Sequence, residues 1–181
     1  MFKSLRIRLA EQSLKKPVGK TRITKGHNFN TAKSVGIITW FKEESVLKET
    51  KALSQYLRGE HGIRTVRILG YVAEKEKDMP DWAKGSSQIE TFNKQDLNLR
   101  LKPAGVKDFV STEFDILLSI ESDRCIPLEY IKKHSSARMI VGRPFPGDFS
   151  FLDLSIEIES KESTQVFLDQ AKNILTTFNL T

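Results

Sequence analysis

The sequence predicts an α/β chain: a single Rossmann-like three-layer sandwich on an open, mostly parallel sheet of about five strands, preceded by a basic N-terminal helical arm. Three observations carry that expectation. Residues 114–120, FDILLSI, are nearly all apolar over one strand's length, which is the pattern of a strand covered on both faces. Ile126, Leu128, Tyr130 and Ile131 then fit a short helix ahead of a second apolar run, RMIVGRP, and a crossover between parallel strands is right-handed. The closing segment, 163–178, places Phe167, Leu168, Ala171, Ile174, Leu175 and Phe178 on one helical face that such a sheet would cover.

Taken in order, residues 2–16 (FKSLRIRLAEQSLKK) read as a helix with Phe2, Leu5, Leu9 and Leu14 along one stripe, ended by Pro17. That stripe can dock on the domain, lie on an anionic membrane surface or face a partner. Residues 17–33 form a connector rich in Gly, Thr and Lys, without regular structure. Residues 1–33 are therefore one unit and 34–181 the α/β domain.

The domain opens with SVGIITW, a buried strand over 34–40. A helix over 43–58 follows, with Val46, Thr50, Leu53 and Leu57 on one face and Glu43 and Glu44 at its positive end. Gly59 and Gly62 stop it. A second strand, 64–72, alternates Val66, Ile68 and Gly70 with Arg67, Leu69 and Tyr71 and is expected to be less enclosed than the first. Next comes a polar connection containing Pro80 and Trp82. Residues 88–101 hold Ile89, Phe92, Leu97, Leu99 and Leu101 and suit an extra strand at an edge. Pro103 opens a helix over 104–111, and a last strand is expected over 152–158.

Charge is unevenly spread. The chain of 181 residues carries a formal net charge of +6, yet residues 1–33 alone hold Lys3, Arg6, Arg8, Lys15, Lys16, Lys20, Arg22, Lys25 and Lys33 against Glu11. The remainder is nearly neutral. A basic arm on a neutral body suits a polyanion, because each neutralised phosphate releases condensed counterions. The expected contact residues are Lys3, Arg6, Arg8, Lys15, Lys16, Lys20, Arg22 and Lys25, and ribosomal RNA is the leading candidate partner. An anionic membrane surface is the alternative for the same lysines.

Several chemistries are disfavoured. Cys125 is the only cysteine, so no internal disulfide forms, and with His27, His61 and His134 scattered no metal cluster is expected. Gly19-Lys20-Thr21 resembles the end of a phosphate-binding loop, but the glycine required five positions earlier is Leu14. The joint after the first strand, Trp40-Phe41-Lys42-Glu43-Glu44, lacks the glycines a dinucleotide pyrophosphate needs. No cofactor is expected. No apolar run is long enough to span a bilayer and no signal-peptide core is present, so a cytoplasmic protein is expected. Should there be a ligand site, it belongs at the carboxyl ends of the strands, where Glu121, Asp123 and Arg143 fall. Glu121 and Asp123 together suit acid–base work or a magnesium ion, whereas Asp123 alone suits a cap for the helix beginning at Ile126-Pro127.

The run FDILLSIESDRCIPLEYIKKHSSARMIVGRP, with a lysine-rich first helix, the strand SVGIITW, a Trp-containing middle segment and the stretch Ser136-Ala137-Arg138-Met139-Ile140-Val141-Gly142, resembles a family of small uncharacterised proteins from Bacteroidota. That resemblance implies the fold and no activity. The same central run is similar in pattern to the N-terminal half of heptosyltransferase-like glycosyltransferases. Those enzymes use a second Rossmann-like domain for the nucleotide-sugar, so a complete glycosyltransferase is not expected, while an accessory or decayed relative is compatible with the pattern.

Overall fold

The structure, a computed structural model, describes residues 11–12, 14–15, 22–74, 76–86, 89–93, 104–146, 151–159 and 164–177. Its elements are β1 (Ser34–Trp40), α1 (Glu44–Gly59), β2 (Thr65–Val72), β3 (Ile89–Asn93), α2 (Ala104–Ser111), β4 (Ile116–Ile120), α3 (Ile126–His134), β5 (Met139–Gly142), β6 (Leu154–Ser155) and α4 (Thr164–Thr177). The strands form one sheet in the order β3-β2-β1-β4-β5-β6, and every neighbouring pair is parallel. This order is that of a doubly wound Rossmann sheet. The chain works outward from β1 to β3, crosses back to β4 and works outward again, so its topological switch point lies between β1 and β4.

Strand alternation decides which residues meet which helices. On one face Val35, Ile37, Val66, Ile68, Ile116 and Leu118 share a core with Leu53 and Leu57 of α1 and Phe167, Leu168 and Leu175 of α4. On the other Ile38, Leu69, Phe92, Leu117 and Ile140 meet Phe109 of α2 and Leu128 and Ile131 of α3. Three layers result, as expected. β4 is buried at every position because both of its faces are covered. Among the described residues, no helix is long and apolar enough to cross a membrane.

The strands differ from expectation in three ways. Among the described residues the sheet has six strands, the sixth being β3, from the segment expected to supply an edge strand, and it does lie at the edge. Leu97, Leu99, Leu101 and Pro103 fall outside the described residues. The last strand is only two residues long. Its partner β5 ends at Gly142, and Pro144 soon after has no N–H to extend a ladder. β2 is also more enclosed than its alternation suggested, buried at nearly every position from Val66 to Val72. Its neighbours β1 and β3 flank it, and Arg67 turns to Glu90 Oε1 at 2.5 Å and Asp108 Oδ2 at 2.6 Å. At Gly70 the backbone lies under the buried ring of Phe41, which occupies the space a β-carbon would need.

The described part of the connector before β1, residues 22–33, is irregular, as read, but its end belongs to the core. Phe29 is 1% exposed and Ala32 is buried beside it, while the Phe29 amide donates to Leu175 O at 2.8 Å. His61 stacks on Phe29 and links Asn30 to Tyr56 through its ring nitrogens. Leu14 is buried, and Glu11 lies 3.3 Å from Arg124, so the described part of the first helix docks on the domain. Phe2, Leu5, Leu9 and Pro17 lie outside the described residues, as does Phe178.

Asp115 fastens the connector to the sheet. Its Oδ2 accepts from the Lys33 and Ser34 amides at 2.8 and 3.1 Å, and its Oδ1 lies 3.3 Å from Arg138. Burial opposes its charge, but these amides and nearby His27 hold the carboxyl below the usual value of 3.8. A depressed folded pKa contributes stability above the unfolded pKa and loses it as pH falls through the folded value. Asp115→Asn should therefore cost about 2 kcal/mol at pH 7, and its difference from the unaltered protein should shrink as pH falls below the usual carboxylate value and through the lowered folded one. Urea unfolding at pH 7 and in acid measures this; a cost that persists in acid would refute it.

Candidate functional site

The two ends of the sheet differ in how their charges are met. At the carboxyl end, Lys42 follows β1 and reaches across the switch point to the Asp123 carboxylate and to Ser122 Oγ. Lys42 holds Asp123 below the usual carboxylate range, with Arg143 adding to the effect. Asp123 is not the cap of α3. The capping position is Cys125, and with Pro127 at the second helical position there is no N–H there for a side chain to accept. Arg143 donates to Glu159 O at 3.1 Å and stacks over Phe145.

Glu121 does not join that group. Alternation along β4 puts Ser119 and Glu121 on the face covered by α3, where Lys132 Nζ donates to Glu121 Oε1 at 3.0 Å and Ser119 Oγ donates to the same oxygen. Both members of the Glu121–Lys132 pair are 2% exposed. Burial raises the Glu121 carboxyl above its usual range despite the pull of Lys132 and Ser119. Its Oε2 is buried without a hydrogen-bond partner among the described residues. Nearby, Arg124 Nε binds Glu129 at 2.6 Å. Glu121 and Asp123 are thus engaged by different lysines, one in the interior and one at the surface, and do not form an acid–base couple. Among the described residues no group of three acidic, His or Cys side chains is placed to hold a metal ion.

Sequence reading missed Lys42, Ser119, Lys132 and Glu129. A signal was available for Lys132, which shares the buried stripe of α3 with Leu128 and Ile131 and needed an acidic partner there. Cys125 is buried, and burial with nearby Glu121 pushes its thiol up. We expect it to react with a thiol reagent only as fast as the protein unfolds; rapid labelling of the folded protein would count against this packing.

The amino end presents the opposite picture. Backbone hydrogen bonds set successive strand beginnings side by side: Thr65 N to Lys33 O, Asp115 N to Ser34 O, Arg138 N to Phe114 O and Lys25 N to Arg138 O. Arg64, Lys33, Arg138 and Lys25 consequently sit along one edge, with Arg58 of α1 reaching the Arg64 and Val66 carbonyls at 3.3 and 2.7 Å. Lys25, Lys33, Arg58 and Arg64 are exposed and have no carboxylate partner among the described residues. Arg138 is balanced by Asp115 and Glu113. Arg22, expected among the free cations, is bound by both oxygens of Asp153 at 2.6 Å and donates to Ala137 O. It ties the segment to the domain. Lys15 is exposed. Lys3, Arg6, Arg8, Lys16 and Lys20 lie outside the described residues, as does Gly19-Lys20-Thr21.

A family model matches residues 6–178. The chain belongs to DUF6913, a family of unknown function. No curated protein matches this DUF6913 chain. Among solved structures it is similar to E. coli heptosyltransferase WaaC with ADP, at 11% identity and a TM-score of 0.46. That match covers 79% of the DUF6913 chain and 46% of the heptosyltransferase.

Proposed function

We propose that the protein binds RNA, ribosomal RNA foremost, through its basic N-terminal segment, with the α/β domain as a platform in the cytoplasm. One observation carries this reading: Lys25 and Lys33, from the segment with the charge excess, are delivered to the amino edge of the sheet without a carboxylate partner among the described residues. Cations at the carboxyl end, by contrast, are consumed by contacts within the chain. Unpaired lysines on an ordered edge favour phosphate contacts that release counterions.

The test is sedimentation of the tagged chain in lysate of its native host, at low and high salt. Beside it runs a variant with Lys3, Arg6, Arg8, Lys15, Lys16, Lys20 and Lys25 changed to glutamine. Co-migration with ribosomal particles that salt and the substitutions both abolish is the expected result. Both proteins remaining at the top of the gradient would overturn it, and retention on anionic liposomes under the same conditions would assign the lysines to a membrane surface instead.

A second reading has its own observation. Glu121 Oε2, buried without a partner among the described residues at the carboxyl end of a central strand, suits a small ligand able to donate a hydrogen bond there. It predicts binding that is indifferent to the lysine substitutions.

A further inference from the structure

We infer that the amino edge of the sheet is itself part of the contact, and that it holds double-helical RNA by the sugar-phosphate backbone without reading bases. This rests on the RNA-binding reading and extends it to residues outside the N-terminal segment, chiefly Arg64 and Arg58. Arg64 precedes β2 as Lys33 precedes β1, and the register Ser34 to Thr65 makes the two residues neighbours across adjacent strands. From β2 to β5 the edge crosses three strand intervals, about 14 Å at the usual spacing. Of these strands β4 begins beside Glu113 and Asp115, which Arg138 balances; Arg64, Lys33 and Lys25 remain, a row fixed along the strand beginnings with a set pitch. It matches a stiff array of phosphates better than a flexible single strand, which can fit itself to almost any groove.

The second argument is about what the edge lacks. Binders of single-stranded nucleic acid offer aromatic rings on which bases stack. Here the described rings near this edge are spent internally: Phe29 and His61 on each other, Tyr56 against His61, and Phe109 against Phe114. Ile23, 82% exposed, is the one large hydrophobic residue standing out among the described residues. Long, fully charged side chains with no ring beside them address phosphates and leave base edges unread.

Arg58 lies in the last turn of α1, where a cation also complements the helix dipole, so its charge alone has an explanation within the fold. Lys33 and Arg64 lie outside any helix and are the better probes. The experiment measures binding of the full chain and of a Lys33→Gln/Arg64→Gln variant to two RNA duplexes of unrelated sequence, each about two helical turns long, to a DNA duplex and to poly(U), across a salt series. Thermal melting confirms that the variant is folded.

The expected result is equal affinity for the two RNA duplexes, weaker binding to poly(U), and at least tenfold weaker duplex binding by the variant. The slope of log affinity against log salt should become shallower by about 1.8, at about 0.9 for each phosphate no longer neutralised. RNA and DNA duplexes bound alike, or RNA more tightly, support the proposal; DNA bound more tightly overturns RNA as the partner. Poly(U) bound more tightly than the duplex overturns backbone recognition. A variant that binds as the unaltered chain does, while the glutamine-substituted segment abolishes binding, confines the interaction to the segment and overturns the role of the edge. Failure of the unaltered chain to bind any RNA defeats the underlying reading as well.

Discussion

Lys132→Met should lower stability by about 3–5 kcal/mol, the cost of leaving one member of a buried ion pair without its partner. Lys132 and Glu121 are each 2% exposed, and among the described residues Lys132 is the only cation brought to that carboxylate. The pH dependence follows from the raised carboxyl. Above the ordinary value of 4.5 the unfolded chain releases its proton while folded Glu121 retains it, so folding binds protons and this group's contribution falls as pH rises toward the folded pKa. Removing Lys132 takes away a charge that pulls the carboxyl down, so the decline continues to higher pH in the variant. The double substitution Glu121→Gln/Lys132→Met removes both charges and should recover most of the loss. Urea unfolding between about pH 4.5 and 8 measures all three proteins. A single variant that loses less than about 1 kcal/mol, or that tracks the unaltered protein across pH, would show the pair to be unimportant.

Phe29→Ala should cost about 3–5 kcal/mol, because the ring is almost wholly buried and its loss leaves a cavity at the joint of α1, α4 and the sheet. Removing residues 1–33 altogether should abolish cooperative thermal unfolding, whereas removing 1–21 should preserve it, since Phe29, Ala32 and the Arg22–Asp153 clasp remain. Circular dichroism melts of the three proteins decide the matter. A fully cooperative chain lacking residues 1–33 would mean that the connector is dispensable. The practical point is that failure to bind RNA after deleting 1–33 would report unfolding, and only charge substitution isolates the lysines.

These two features differ in how far the sequence announced them. FDILLSI was readable because a strand covered on both faces needs apolar residues throughout, and the structure buries all of β4. Helix 104–111 was readable from Pro103 and the spacing of Val106, Phe109 and Val110, and α2 has those bounds. Phe29 was not, because an irregular segment has no period by which to infer a buried side. The partners of Arg67 were not readable, because alternation says which way a side chain leaves the strand and nothing about carboxylates waiting there. At the candidate sites, charge asymmetry marked the N-terminal cations, but that Arg22 is taken up within the fold depends on Asp153, far away in sequence. Glu121 and Asp123 looked like one site because they are close in sequence. The pleat and the turn after β4 send them to different partners.

Phe41 over Gly70 bears on what the carboxyl end can accept. The corner just past the first strand is where doubly wound proteins seat a phosphate, using bare backbone and a helix with its positive end open. In this chain that corner is furnished from within: an aromatic ring fills the hollow over β2, and Glu43 and Glu44 stand at the start of α1. Bulk at positions 41 and 70 can be exchanged between the two residues but not added to either. A lineage that shrank residue 41 would reopen the corner, so a relative with a small residue there and no acids behind it is where nucleotide binding should be sought.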